Sequence, residues 1–193
     1  MSPVIVHAIA QTDMPVVRSC WDDDGLTVSC EVEYIPAHPP EEPTLSEKLD
    51  QQFNIATPSY ILTGGTFSMI LDSQKRIKNW DMFTNPARWN RGARPFIEAI
   101  PATLHIDTAF DENGRGADMG EQEVFYEPQR GTLYISWGDA TNWYSIGPSL
   151  ALGVTSESHF VQIRLDGLVV PEPEHKNPGF WESLRKRFGF GST

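Results

Sequence analysis

The residues best suited to binding chemistry are three arginines and a tryptophan that lie within seven positions of an acidic chain. An arginine guanidinium forms paired hydrogen bonds with a carboxylate or a phosphate. The ring of a neighbouring tryptophan can stack on a base, a sugar or another guanidinium. The same arginines would also serve as an internal tie that neutralises the protein's own acids. The candidate binding residues of this loop are Arg88, Trp89, Arg91 and Arg94.

A second candidate site is the turn-like segment 136–144, whose sequence is SWGDATNWY. Aromatic faces beside an aspartate and an asparagine suit either sugar stacking or a hot spot for a protein partner. In the alternative interpretation, the tryptophans are core residues and Gly138-Asp139 forms a turn. The candidate binding residues of this segment are Trp137, Asp139, Asn142, Trp143 and Tyr144.

His105 and Asp107 are weak candidates for a metal-ligand pair or an acid–base pair, because alternate residues of a strand share one face. The acidic loop that follows departs from a calcium-binding loop at Arg115, and a hairpin turn at Asn113-Gly114 explains it without a metal. We therefore expect no metal and no other cofactor.

Familiar catalytic motifs do not occur in this sequence. It has no Gly-x-Ser-x-Gly elbow, no Walker loop, no GxGxxG and no Cys-x-x-Cys. Cys30 shares the apolar side of its segment and is expected to be a buried thiol, whereas Cys20 stands beside an acidic run that blunts its reactivity. Triads assemble in space, so enzymatic activity stays open, although the motifs favour a protein without it.

Short alternating segments must position these candidates. Between residues 26 and 34, apolar and polar residues alternate in the manner of a strand with one wet face. Comparable segments recur down to residue 165, and the turns between them are too short for parallel crossovers. The sequence therefore predicts a mainly β fold, either an antiparallel sandwich or a strongly bent sheet.

Two short helices are expected beside the strands. Thr44 and Glu47 fit a capping box at the start of a helix over about 45–53. An apolar stripe with basic residues near its end predicts an amphipathic helix over about 179–188. The expected organisation is a single domain over 1–174, with 1–53 alternatively a packed strand–connector–helix unit. Residues 175–193 then form an amphipathic helical appendage.

The net charge of −11 is distributed in blocks. Residues 1–53 carry ten acids and two bases, and residues 101–174 carry twelve acids and three bases. Residues 54–100 and 175–193 are mildly basic. An acidic field repels nucleic acid phosphate, so duplex nucleic acid is not an expected partner, whereas a basic protein is. Solubility alone is the alternative explanation of the charge.

Composition also narrows the compartment and the functional class. No apolar run reaches the length of a membrane span, the first residues lack the features of a secretory signal, and two cysteines make no disulfide framework. We therefore expect a cytoplasmic protein of unknown oligomeric state. The leading hypothesis is a non-catalytic inhibitor or immunity-type protein that masks a basic protein partner. The alternatives are a structural subunit of a phage or secretion-type assembly, and a hydrolase or metal-dependent enzyme using His105 and Asp107.

Overall fold

The computed structural model of the chain describes residues 3–11, 15–35 and 59–171. It confirms a mainly β fold made of two mostly antiparallel sheets. Within these ranges lie thirteen strands and a single 3-10 turn at Pro86–Arg88. In chain order the strands are β1 (Ile5–Ala10), β2 (Val16–Asp22), β3 (Thr27–Glu33), β4 (Tyr60–Gly64), β5 (Phe67–Leu71), β6 (Ile77–Phe83), β7 (Asn90–Arg91), β8 (Ile100–Asp107), β9 (Glu123–Glu127), β10 (Thr132–Ser136), β11 (Asn142–Gly147), β12 (Leu150–Val154) and β13 (Phe160–Leu165).

The strands divide into a large and a small sheet. The large sheet has eight strands in the order β1-β8-β11-β12-β13-β10-β9-β7, and the small sheet has five in the order β2-β3-β6-β5-β4. Every pair in the small sheet is antiparallel. In the large sheet, β8 runs parallel to β11 and β7 runs parallel to β9. Most neighbours in space are also neighbours in sequence, because short turns join antiparallel strands.

The two sheets pack against each other around one hydrophobic core. Alternation places one side of each strand in this core. Val28, Cys30 and Val32 of β3 point inward, while Glu31 and Glu33 are exposed. Side chains from both sheets contribute to the same core cluster, among them Phe67, Met69, Trp80 and Met82 from the small sheet and Leu104, Ile106, Leu133, Ile135, Leu152 and Ile163 from the large one.

The N-terminal strands are shared between the sheets. β1 pairs with β8 in the large sheet, whereas β2 and β3 form one side of the small sheet. The helices expected at 45–53 and 179–188, and the appendage expected at 175–193, lie outside the described residues. The two short helices are not observed in the described ranges. The helical content of these ranges is the 3-10 turn at Pro86–Arg88.

The connection from β8 to β9 covers one edge of the small sheet. The Ile61 amide donates to Gly114 O, Gly116 N donates to Ile61 O, and Met119 N donates to Thr63 O, each over 2.8 Å. The backbone of edge strand β4 is therefore hydrogen-bonded on both sides, which blocks pairing with another chain at this edge. At the end of this connection and the start of β9, residues 121–124 lie near the end of β6 and line a cleft with it.

Candidate functional site

Residues 92–99, which we call the strap, cross the outer side of the large sheet. The strap joins β7 at the sheet edge to β8, and five strands lie between these two. Six inter-strand spacings of about 4.8 Å amount to about 29 Å in a flat sheet. The nine steps from Arg91 to Ile100 reach about 30 Å when extended at about 3.3 Å each. The strand order therefore leaves the strap little slack as it crosses the sheet.

The strap is held by stacking between arginines and aromatic rings. The guanidinium carbon of Arg94 lies 4.1 Å from the ring centroid of Phe125 and 5.4 Å from that of Tyr134. The Tyr134 ring in turn meets the Trp143 ring edge to face, with 6.2 Å between centroids. The structure thus connects Arg94 and Trp143, one from each sequence-predicted group, through a tyrosine that sequence analysis did not single out.

Arg164 of β13 fixes the strap from below. Its side chain is only 6% exposed, and its Nε donates to Asp166 over 3.1 Å. Its Nη1 donates to the Ile97 carbonyl over 2.5 Å. The guanidinium lies 4.8 Å from the centroid of the Phe96 ring and 5.7 Å from that of the Trp143 ring. A charge buried with these partners is a structural tie rather than a surface contact.

The three tryptophans predicted as binding residues each contact other side chains of the protein. Trp143 is 5% exposed and lies opposite Gly153, where a Cβ atom would come within 3.0 Å of the indole. Trp137 packs on Phe67 and Phe160 and donates its Nε1–H to Gly120 O. The buried Trp89 lies edge-on to Trp21 and Tyr126 and donates to Thr84 Oγ1. For Trp137 and Trp143 this packing agrees with the core interpretation that the sequence left open beside binding.

The remaining predicted binding residues differ in accessibility. Asp139 and Asn142 are exposed, and Tyr144 is half-buried against the core. Arg88 and Arg91 are exposed, and the Arg91 guanidinium lies 5.8 Å from the Tyr126 ring centroid. Arg91 and Arg94 contact aromatic rings, and within the described ranges neither forms the ion pair with a carboxylate that an internal tie would need.

A cleft of about 470 Å³ lies where the ends of the two sheets meet. It is lined by the β4–β5 turn, by the chain from Phe83 to Asn90, and by residues 121–124. The 3-10 turn shapes one wall, because Asn85 Oδ1 accepts a hydrogen bond from Ala87 N and Pro86 starts the turn. On the opposite wall, the Gln122 amide donates to Thr66 Oγ1 over 2.8 Å.

Carboxylates gather on the outer side of the small sheet and its β2–β3 turn, which we call the acidic face. Register brings Cys20, Ser29 and Asp81 into one row across β2, β3 and β6. Two exposed cationic side chains, Arg18 and Lys78, stand on the same side. Within the part of the chain that the structure describes, six exposed carboxylate residues lie on this face: Asp22, Asp23, Asp24, Glu31, Glu33 and Asp81.

The ion pairs that the described residues form on the acidic face lie at one end of it. There, in a groove of about 500 Å³, Arg18 pairs with Glu33 over 2.9 Å and Arg76 pairs with Asp72 over 2.7 Å. At the other end, near the β2–β3 turn, no ion pair of Asp22, Asp23, Asp24 or Asp81 occurs among the described residues. The free negative charge of the acidic face therefore concentrates around this turn.

His105 and Asp107 point outward from β8, and each already has a protein partner. The Lys75 ammonium donates to the Asp107 carboxylate over 2.5 Å, and this hydrogen bond lowers the pKa of Asp107 below its usual value. The His105 Nδ1–H donates to Gln74 O over 2.8 Å. Within the described ranges, no three histidine, cysteine, aspartate or glutamate side chains group as ligands for a metal ion.

The two cysteines lie on opposite sides of the small sheet. Cys30 is buried in the core, and burial raises the pKa of its thiol to about 12. Since the thiolate is the reactive form, this thiol is inert near neutral pH. Cys20 is exposed on the acidic face and is a free thiol. The sequence-based prediction for Cys30 is therefore confirmed.

Comparison with known proteins gives no functional assignment. No protein-family model matches the chain, and no curated protein matches it significantly. Among the described residues, no helix has the length and apolar character needed to cross a membrane.

Proposed function

We propose that this chain is a non-catalytic binding protein, of the inhibitor or immunity type, that masks a basic protein partner with its acidic face. The observation that carries the proposal is the gathering, among the described residues, of six exposed carboxylates on one side of the small sheet, against two exposed cations. The proposal places both proteins in the cytoplasm, where an exposed free thiol such as Cys20 stays reduced.

Electrostatics explains how such a face would select its partner. Uncompensated carboxylates around the β2–β3 turn attract a positively charged surface and repel phosphate. A complementary field raises the association rate and orients the partner before contact. Exposed Phe83 borders this end of the face, since it lies opposite Thr27 in register. Its ring offers a partner arginine a stacking surface beside the carboxylates.

The proposal is tested with two variants of equal charge. In the first, three carboxylates of the acidic face are neutralised by Asp24→Asn, Glu31→Gln and Asp81→Asn. In the matched control, three exposed carboxylates elsewhere are neutralised by Glu98→Gln, Glu112→Gln and Glu157→Gln. Immobilised wild-type protein is expected to capture a basic protein from a lysate of the native host, which mass spectrometry identifies.

The expected result is that the acidic-face variant loses this partner and the control keeps it. Each lost charge contact weakens binding several-fold, so three together reduce affinity by about 100-fold at low salt. Equal capture by both variants would contradict the proposal, because net charge alone would then explain binding. Capture of an acidic protein would contradict it too.

A second candidate function, a subunit of a larger assembly, is favoured by the strap. Phe96 and Ile97 are 55% and 47% exposed there, beside the exposed Arg94. Since the sheets pack inner side to inner side, the strap and the acidic face lie on opposite sides of the protein. An arginine–aromatic surface on one copy would suit the carboxylates of the next, and such head-to-tail contacts build rings or filaments.

Light scattering at rising protein concentration tests this second candidate. At low salt the wild-type protein is expected to associate, and the double variant Phe96→Ser, Ile97→Ser is expected to stay monomeric. The double variant Ile9→Ser, Val169→Ser removes two other exposed apolar side chains and is the control. A wild-type protein that remains monomeric at millimolar concentration would exclude self-assembly through the strap.

A further inference from the structure

The cleft between the two sheet ends, about 470 Å³ in volume, has polar groups without partners on its walls. Arg88, Asn90, Glu121 and Glu123 line it, are exposed, and make no side-chain hydrogen bond or ion pair with other described residues. The side-chain amide nitrogen of Asn85 likewise has no partner in the described ranges, since only its Oδ1 bonds to the turn backbone. These groups include both hydrogen-bond donors and acceptors.

Apolar surface accompanies these polar groups. Phe83 is 55% exposed and lines the cleft, together with Val124 and the edge of the buried Trp89. Trp89 is fixed by its hydrogen bond to Thr84 and by its contacts with Trp21 and Tyr126. Binding here would therefore require little reorganisation of this wall. The Phe83 ring, in contrast, is accessible to stack on a ligand.

The charged side chains that line the cleft have both signs. An anion would be repelled by Glu121 and Glu123, and a cation, although attracted by these two carboxylates, would be repelled by Arg88. A polyhydroxylated neutral ligand avoids both penalties, because each hydroxyl donates to a carboxylate or amide oxygen and accepts from an amide or guanidinium. Its apolar C–H face would lie on the Phe83 ring.

We propose that this cleft binds a neutral saccharide of two or three sugar units. The Phe83 ring stacks on one sugar face, Glu121 and Glu123 accept hydrogen bonds from sugar hydroxyls, and Arg88 and Asn90 donate to them. This binding activity goes beyond the proposed masking of a basic protein. It shares Phe83 with the edge of the acidic face but uses none of the three carboxylates that test that function.

Saturation-transfer NMR tests the proposal with maltotriose, cellotriose and chitotriose as neutral probes. Trilysine and glycerol phosphate are the ionic probes, and both carry carbon-bound protons that the experiment detects. At least one trisaccharide is expected to receive saturation from the protein, and glycerol phosphate is not. Phe83→Ala is expected to weaken saccharide binding about tenfold, and Glu123→Gln about fivefold. Ile9→Ala removes an apolar side chain of similar exposure that does not line the cleft, and it is the matched control.

Three results would overturn the saccharide site. The first is the absence of transfer to every trisaccharide at millimolar concentration. The second is saccharide binding that Phe83→Ala and Ile9→Ala leave equally strong, which would place the sugar elsewhere. The third is binding of trilysine without binding of any saccharide, which would identify the cleft as an anchor for a cationic side chain.

Discussion

Replacing Trp80 with alanine is expected to lower the free energy of unfolding by about 3–5 kcal/mol. The indole is 1% exposed, lies between the two sheets, and has its ring centroid 5.6 Å from that of Phe67. Removing it leaves a cavity at the centre of the common core, and the sheets can close this cavity only in part. Urea unfolding followed by circular dichroism measures the loss.

Two further variants on the same residue and strand sharpen this prediction. Trp80→Phe is expected to cost less than about 2 kcal/mol, because it keeps most of the volume and removes a buried Nε1–H that has no partner among the described residues. Phe83→Ala removes an exposed ring from the same strand and is expected to change stability by less than about 0.5 kcal/mol. Equal losses for Trp80→Ala and Phe83→Ala would contradict the placement of the core.

Replacing Arg164 with methionine is expected to cost about 3 kcal/mol and to release the strap. The substitution leaves Asp166 without its ion-pair partner and the Ile97 carbonyl without its donor. Breaking a buried pair on one side usually costs about 3–5 kcal/mol. We expect a loss at the lower end of this range because the Asp166 side chain is 27% exposed. Water can therefore partly replace the arginine as its partner.

Hydrogen exchange distinguishes this tie from general destabilisation. In the Arg164→Met variant, amides of residues 92–99 are expected to exchange faster at denaturant concentrations where the core remains protected. Arg130→Met is the control, because Arg130 also stacks on Phe96, at 4.7 Å, but from an exposed position. It is expected to cost less than about 0.5 kcal/mol. If both variants changed exchange in the strap equally, Arg164 would not be what holds it.

The sequence predicted the strands well because their signal is local. Alternation from residue 26 to 34 locates β3 and already places Glu31 and Glu33 on one side, away from Cys30. It could not add Asp81 to that side, because this depends on β3 pairing with β6 about fifty residues further on. The acidic face therefore follows from strand order, which alternation does not encode.

The role of the aromatic residues was harder to predict. Trp137 and Trp143 belong to the same segment, yet Trp137 faces the common core and Trp143 faces the strap. When a sheet is covered on both sides, residues that face the core and residues that face the strap are both buried. An apolar pattern in the sequence therefore does not show which side of the sheet a tryptophan faces. The structural role of Arg164 was not predicted, because an arginine in a strand is expected to face solvent. Its partner Ile97 lies in the strap, 67 residues earlier in the chain.

The cleft could not be predicted from the sequence either. Its walls come from three segments, and only Arg88 and Trp89 were candidates from sequence. The local signal available was the Asn85-Pro86 start of a helical turn, which is typical of a capped first turn. Nothing in residues 121–124 indicates that they face this turn, because the connection from β8 first runs along β4.

The central claim, that the acidic face recognises a basic protein, is tested most directly by the association rate of the captured partner at different salt concentrations. The claim predicts that this rate falls at least about tenfold between about 0.05 M and 0.5 M salt, while the dissociation rate changes little. Neutralising Asp24, Glu31 and Asp81 is expected to abolish most of this dependence, and neutralising Glu98, Glu112 and Glu157 to preserve it. An association rate that does not change with salt would contradict the claim. So would an equal change of the salt dependence in the acidic-face variant and in the control variant.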